Sequence, residues 1–545
     1  MRTAGQLGYH YEQAHEYAAA KEHYMHAATV AAAQYANTEA LHYLDRVLVL
    51  AAPDEVARRF DALQHRERVM QIFGTLDVWE ETLRELAEVA ATPEPGEDEV
   101  NSAITLRRRA IVAEREARLA QRMNLPIRAV EQARAAVEYA EQTDDLQVQA
   151  LCNHSLALRL WYVADFAASI PPNERAITLA RATDDYDTLA NALEALSQTH
   201  MFSGGSATVI KALLDESLVN YGRVGSLEGR CKILNKIGYL PFAQGTGRYA
   251  EACAALQEAI ELAKKMGSPF TEINPRRNLA IVYTCMGNYA AADVCLIQTQ
   301  SAIHIIGVHG EDGVLLNYRG FLYLNQGRLA DALEIQQQAV VALATQGAGQ
   351  WRVKALTALA WIHLRLEKPE EALVYVEMAL ADCVKINEGR QEAYALILRG
   401  ILRTTAGDLV AARQDFAAAH TKLYGYEMFN RALEAQVGLA YLDLLEGYHD
   451  AALTSAHEIL IHLEAHPVDF TEDVCQLLLT CQHILQRLDP RALPRLHKLI
   501  DLHLTTRTAT LDDTTAKLFW QIPAHQALRA ADIGTEQLTS AIPTG

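Results

Sequence analysis

The sequence predicts an all-α fold: a right-handed superhelix, or solenoid, of tandem antiparallel helical hairpins. Three observations predict it. Ala and Leu dominate the 545 residues and β-branched runs are short, which favours helix over strand. The 15 prolines mostly fall between periodic segments, where a helix can end without losing internal hydrogen bonds. From residue 245 onward the chain also repeats itself every 40 residues.

The repeat is clearest at its turns. Gly247-Arg248-Tyr249, Gly287-Asn288-Tyr289, Gly327-Arg328-Leu329, Glu367-Lys368-Pro369, Gly407-Asp408-Leu409 and Gly447-Tyr448-His449 each begin 40 residues after the last. Five residues past each start stands an alanine: Ala252, Ala292, Ala332, Ala372, Ala412 and Ala452. Seven residues further on the series reads Ala259, Thr299, Ala339, Ala379, Ala419 and Ile459, two helical turns away on the same face. Twelve residues before each alanine come Leu240, Ala280, Gly320, Ala360, Gly400 and Ala440, small from the second onward. Two antiparallel helices approach closely only where side chains are small, so these sites are expected to face the alanines of the second helix. A glycine at the turn supplies a left-handed backbone without steric cost.

Upstream the pattern weakens but persists. Asn124, Ala129 and Ala136 repeat the turn and the small sites, Ala164-Asp165-Phe166 follows, and Gly205 opens another turn. Leu7, Gly8, Tyr11, Ala20, Tyr24 and Ala27 form one further hairpin, and Gly74 through Leu86 half of another. The organisation read from this is N-terminal hairpins over 1–91, a Pro-rich acidic loop at 92–99, a superhelix over 100–466, capping helices over 467–504 and a polar tail over 505–545. Pro171-Pro172 predicts that one helix starts late, near Pro171. Beyond 505 the Thr-rich composition predicts that order fades, except near Phe519-Trp520.

Composition narrows the function classes. A net charge of −19, from 49 basic and 68 acidic side chains, opposes a polyanionic partner, so no nucleic acid is expected. The eight cysteines, at 152, 231, 253, 285, 295, 383, 475 and 481, show no CxxC spacing, which points to small buried hydrophobes in a reducing compartment. No apolar run reaches the length needed to span a bilayer, and the first residues lack a signal-peptide pattern; a cytoplasmic, membrane-free protein is the expectation. His10, His15, His23 and His26 cluster near the N-terminus, and His304 and His309 flank Gly307, but neither group completes a metal-ligand set. No GxSxG, HExxH or phosphate-binding glycine loop is present. No catalytic residue, cofactor or metal is therefore predicted.

The order Leu279-Ala280-x-x-Tyr283, Gly287-Asn288-Tyr289 and Ala292 resembles the tetratricopeptide repeat. Its 40-residue period departs from the usual 34 and is similar to the superhelical arms of LuxR-type maltose regulators and of signal-transduction ATPases with numerous domains. Tyr9-His10-Tyr11-Glu12-Gln13-Ala14, Tyr35-Ala36-Asn37-Thr38-Glu39-Ala40-Leu41 and Tyr43-Leu44 resemble the stretch that follows the ATPase and winged-helix modules of large bacterial predicted ATPases, some of which carry an adenylate or guanylate cyclase domain. Phe519-Trp520-Gln521-Ile522-Pro523-Ala524-His525 is similar to the end of such proteins. The resemblance implies a non-catalytic, protein-binding or ligand-sensing repeat arm. The alternative is a fragment of, or accessory to, a multidomain cyclase or ATPase. An RNA-binding helical repeat is disfavoured by charge and period.

In such stacks the first helix of each hairpin lines the concave surface. The inward register places Asn274, Arg277, Ile281 and Cys285 there, then Val314, Asn317, Phe321 and Asn325, and Lys354, Thr357, Trp361 and Arg365. Tyr394, Ile397, Ile401 and Thr405 follow, with Glu434, Val437, Tyr441 and Leu445. Arg277, Asn317, Asn325, Lys354 and Arg365 bring donors into one stretch, with Phe321 and Trp361 as aromatic anchors for a protein or peptide partner. This is similar in kind to the carboxylate clamp of peptide-binding tetratricopeptide domains, although Ile281 and Phe321 stand where that clamp has Asn.

Overall fold

The computed structural model describes residues 2–34, 36–73, 76–94, 102–123, 125–163, 165–243, 248–305, 312–345, 349–386, 388–465 and 474–532. Gly74, most of the 92–99 loop, Asn124, Ala164, Gly247, Gly307 and His309 lie outside them. Among the described residues there are 27 α-helices and no strand, as the fold class requires.

The chain divides into two compact units, residues 1–199 and 200–545. The first holds α1 (Arg2–Gln13), α2 (Tyr17–Ala33), α3 (Asn37–Leu50), α4 (Val56–Phe73) and α5 (Leu76–Ala90). It continues with α6 (Ala103–Arg122), α7 (Pro126–Glu141), α8 (Leu146–Tyr162) and α9 (Phe166–Ala182), and the division falls inside α10 (Tyr186–Ser203). The second unit contains α11 (Ala207–Arg223), α12 (Leu227–Ala243), α13 (Tyr249–Lys265), α14 (Pro269–Cys285), α15 (Tyr289–Ile305) and α16 (Gly313–Asn325). Next come α17 (Leu329–Thr345), α18 (Gly349–Arg365), α19 (Pro369–Ile386), α20 (Gly389–Thr405), α21 (Leu409–Gly425) and α22 (Phe429–Glu446). It ends with α23 (His449–Ala465), α24 (Val474–Leu488), α25 (Leu493–Thr508), α26 (Asp513–Phe519) and α27 (Pro523–Asp532).

From α1 to α9 and from α11 to α25 consecutive helices pack against each other, and in the second unit the even-numbered helices from α12 to α24 also touch one another in sequence. The even helices are thus an inner layer and α13 to α23 an outer one. Ala252, Ala292, Ala332, Ala372, Ala412 and Ala452 are all fully buried, so the register is as expected. The small sites opposite them face a different residue from the one expected. A Cβ on Gly400 would come 2.8 Å from the Phe416 ring, and one on Gly320 would come 2.7 Å from the Gln336 side chain. Each partner stands one helical turn past the alanine, because side chains lean toward the helix N-terminus and cover the turn before their own Cα.

The turns share one hydrogen-bond pattern. The amides of Asn288, Arg328, Lys368, Asp408 and Tyr448 each donate to the carbonyl five residues back, at 2.8–2.9 Å. This closing bond requires a left-handed residue just before the donor. Gly287, Gly327, Gly407 and Gly447 supply it with φ between 76 and 87°. Where the repeat lacks glycine, Glu367 adopts φ 58° and makes the same turn.

Two expectations are corrected. α9 does not start late: it begins at Phe166, where Asp165 caps the amide of Ala168, and it runs through Pro171 and Pro172. The two prolines remove two internal amide donors, and burial of Ser169, Asn173, Ala176 and Ile177 against neighbouring helices outweighs that local cost. Nor does order fade from 505 within the described residues, which end at 532; the rest of the tail lies outside them. Thr506 and Thr508 return their hydroxyls to the carbonyls four residues back, keeping α25 helical, and α26 and α27 follow. Leu496, Leu499, Ile500, Leu504, Phe519 and Leu528 bury themselves in the core that α22, α23 and α24 provide.

Candidate functional site

The C-terminal helices fold back onto the inner layer of the second unit, and their seats are the repeat turns. Arg507 donates to the carbonyl of Thr284 at 2.8 Å, and the Thr510 hydroxyl donates to the carbonyl of Gly287 at 2.7 Å. A Cβ on Gly287 would meet the Thr506 carbonyl at 3.0 Å. One on Gly327 would meet backbone atoms of Leu518 and Phe519 at 2.7–2.9 Å. Glycine at these two turns therefore serves both the left-handed backbone and the close approach of another segment.

A matched pair of substitutions separates the two roles. Gly407 has φ 81° with nothing within 4 Å of its missing Cβ, so Gly407→Ala is expected to cost only the left-handed strain, about 1–2 kcal/mol. Gly327→Ala carries the same strain and also displaces backbone, adding about 1–3 kcal/mol. Equal denaturation midpoints for the two variants would show that the C-terminal helices do not seat on Gly327.

Behind this closure lies a cavity of about 530 Å³, within the range of small-ligand pockets. Trp361 and Arg365 of α18, Ile397, Ile401 and Thr405 of α20, and Glu434, Val437 and Tyr441 of α22 line one side. Gln476, Leu479 and Thr480 of α24 and Ile522, Ala524 and His525 line the other. The inward register is legible here: eight of the residues it placed on the concave surface line this space. The lining from α24, Ile522 and His525 was missed, because α24 reads as part of a cap over 467–504 and Ile522 and His525 lie in a stretch that reads as a polar tail.

A second, smaller pocket of about 20 Å³ shares Arg365, Cys475 and His525 with the large cavity. Tyr289, Asn325, His503, Arg507 and Phe519 complete its polar wall. Among the described residues lining it there is no Asp or Glu. His503 is buried, its Nε2 lies 3.5 Å from the Cys475 sulfur and its Nδ1 has no hydrogen-bond partner. Burial, and then the charge of Arg507 and the neighbouring His525, hold its pKa well below the ordinary histidine value. His525 directs Nδ1 to the Phe519 carbonyl at 2.8 Å.

The residues singled out from sequence are divided by this geometry. Trp361, Arg365 and Asn325 border the two cavities. Arg365 also donates to the Leu324 carbonyl at 3.1 Å, and Asn325 to the Phe321 carbonyl at 2.9 Å. Arg277 is held by both oxygens of Asp312 at 2.9 and 3.0 Å. Lys354 donates to the Tyr239 hydroxyl at 2.6 Å and lies 4.5 Å over the Trp351 ring. Asn317 is buried, its carbonyl accepting from Gln336 at 3.1 Å, and Phe321 packs on the hydrophobic cluster of α14 to α16. Arg277 and Lys354 thus meet partners within the second unit, and neither lines the cavities.

Other chemistry is sparse. Among the described residues no group of three or more His, Cys, Asp or Glu side chains could hold a metal ion, and no helix is long and apolar enough to cross a membrane. All eight cysteines are free thiols.

Comparison with known proteins supports the repeat architecture. Residues 312–383 match the tetratricopeptide repeat family. The comparison with curated proteins gave no match. Among solved structures, the chain is similar to one described as the APC/C hetero-tetramer Cut9-Hcn1, with 11% identity, TM-score 0.51 and 99% of each chain covered. It is also similar to the apo form of RapI, with 12% identity and TM-score 0.51, over 68% of this chain and 99% of that one. At such identities the likeness is one of fold: the chain carries tetratricopeptide-like repeats stacked as a solenoid.

Proposed function

We propose that this chain is a non-catalytic interaction and sensing scaffold, the repeat arm through which a bacterial signalling ATPase or transcriptional regulator receives its input. The observation that carries the reading is the 530 Å³ cavity on the inner layer, lined on one side by the chain's own last helices. A solenoid has no single deep core for an active site but offers a long inner surface. Here that surface holds a partly open cavity bordered by a segment from the chain's own C-terminal helices. The likeness to a chain of the Cut9-Hcn1 hetero-tetramer supports a protein partner as the output side. The same reading covers an accessory to an adenylate or guanylate cyclase.

The test is to mix the purified chain with a signalling ATPase and with an adenylate or guanylate cyclase from the same source. A complex on size-exclusion chromatography and a change in turnover are expected. Coupling of the usual size, about 1–3 kcal/mol, corresponds to roughly 5- to 150-fold. Separate elution with unchanged turnover would reject the regulator reading.

A further inference from the structure

We propose that the paired cavities of the second unit form one binding site for an apolar organic acid, with its carboxylate in the small pocket and its body in the large one. The proposal rests on reading the cavity as the sensing site and names the chemistry that site would recognise.

The two spaces differ in chemistry and adjoin each other, with Arg365, Cys475 and His525 lining both. The small pocket, about 20 Å³, has room for little more than one water, and so for the oxygens of one head group. It gathers the guanidinium groups of Arg365 and Arg507, the rings of His503 and His525, and the polar groups of Tyr289 and Asn325. Arg507 is buried at 8% exposure, and it is held by neutral groups, the Thr284 carbonyl at 2.8 Å and the Tyr289 hydroxyl. A buried guanidinium is costly unless an anion or several acceptors compensate it. The orphan Nδ1 of His503, 3% exposed, adds a further unsatisfied polar atom at the same place. A carboxylate answers both: it accepts from the guanidinium groups in charge-assisted bonds, and from His503 in the tautomer that carries its proton on Nδ1, with Nε2 facing the Cys475 thiol.

The large cavity answers to an apolar body. Trp361, Ile397, Ile401, Val437, Leu479 and Ile522 are among its apolar lining. Two carboxylates, Glu367 and Glu434, also line it, and neither lines the small pocket. They repel an anionic head from the large space and so orient the ligand, head toward Arg507. The carboxylate could belong to a free fatty-type acid or to the C-terminus of a short apolar peptide; both present the same chemistry.

Calorimetric titration of the full chain tests this with four probes: decanoate, decylammonium, and acetyl-Leu-Leu-Leu as the free acid and as the amide. The expected result is one-to-one binding of an acid probe, with its uncharged or cationic counterpart weaker by about 10- to 100-fold, the range of a charge-assisted hydrogen bond. Whether decanoate or the peptide acid is the tighter ligand tells the two sources apart. Arg507→Met is expected to cause a loss of the same size, and Arg365→Met a parallel one should the first variant fold poorly. Ile401→Trp, which fills the large cavity from a half-buried position, should abolish binding while the helical spectrum is retained. Binding of neither acid, equal binding of acids and counterparts, or binding that survives Ile401→Trp in a folded protein overturns the proposal. These outcomes are independent of the turnover assay, so failure of the ligand site and failure of the regulator reading are distinguishable.

Discussion

Glu114→Ala is expected to destabilise the first unit by about 3–5 kcal/mol, the cost of breaking a buried ion pair by removing one partner. Glu114 is fully buried in α6, bonded to the Arg118 guanidinium, with Arg115 Nε 3.6 Å away. Arg115 in turn lies 3.4 Å from Glu67 of α4, which accepts from the Trp79 indole at 2.9 Å. Removing Glu114 leaves Arg115 buried with Glu67 as its remaining carboxylate. Burial alone would raise the Glu114 pKa, but Arg118 and Arg115 outweigh it and hold the carboxyl below its usual range. A carboxyl with a lowered folded-state pKa stabilises above its unfolded pKa, about 4.3 for Glu, and loses that contribution as pH falls through the folded value. The difference between wild type and Glu114→Ala should therefore be full at neutral pH and narrow on strong acidification. Glu67 has the opposite sign: burial pushes its carboxyl up despite Arg115, so its ionisation weighs against folding. Glu67→Gln is thus expected to cost less than Glu114→Ala. Urea midpoints at neutral and acid pH, with hydrogen exchange in α4, α6 and α8, check this; a pH-independent gap would show that Glu114 is not held ionised by its arginines.

None of this network was legible in the sequence, for a physical reason. Glu67 and Arg115 lie in helices that meet only when the stack forms, and Glu and Arg on a helix read by default as solvated surface. What was legible is what repeats. The 40-residue register of Gly and Ala is a steric requirement of each hairpin, so it appears in the residues themselves, and Ala252 through Ala452 are buried as that requirement demands. The inward register also carried over to Trp361, Ile397, Ile401, Val437 and Tyr441. The fates of Arg277 and Lys354 were not legible, because Asp312 and Tyr239 stand 35 and 115 residues away. The closing segment was misread on composition. Four threonines between 505 and 510 suggested a solvated tail, whereas the apolar spacing of Leu496, Leu499, Ile500 and Leu504 already marked a buried helix face.

Trp361→Ala is expected to lower stability by about 3–5 kcal/mol, as for other large core truncations. Trp361 is 8% exposed and belongs to the cluster that joins α18 to α19 and α20. A partner could reach only the part of its surface that faces the large cavity, so packing rather than recognition should dominate its energetics. Its position beside that cavity makes the size of the loss informative. The cost of truncation grows with the void that remains. Removing the indole merges its volume with an existing 530 Å³ space instead of opening an isolated hole. If that space is apolar and dry, the neighbours lose contacts that nothing replaces, and the full loss appears. If water fills it through Thr405, Glu434 and Gln476, the loss should fall toward the lower end of the range. A surface anchor behaves differently: the fold would tolerate the change while partner binding weakened by about 2 kcal/mol or more. Denaturation and ligand titration of the same variant separate these cases. An unchanged midpoint would contradict the packing role that its burial between α18 and α20 assigns to it.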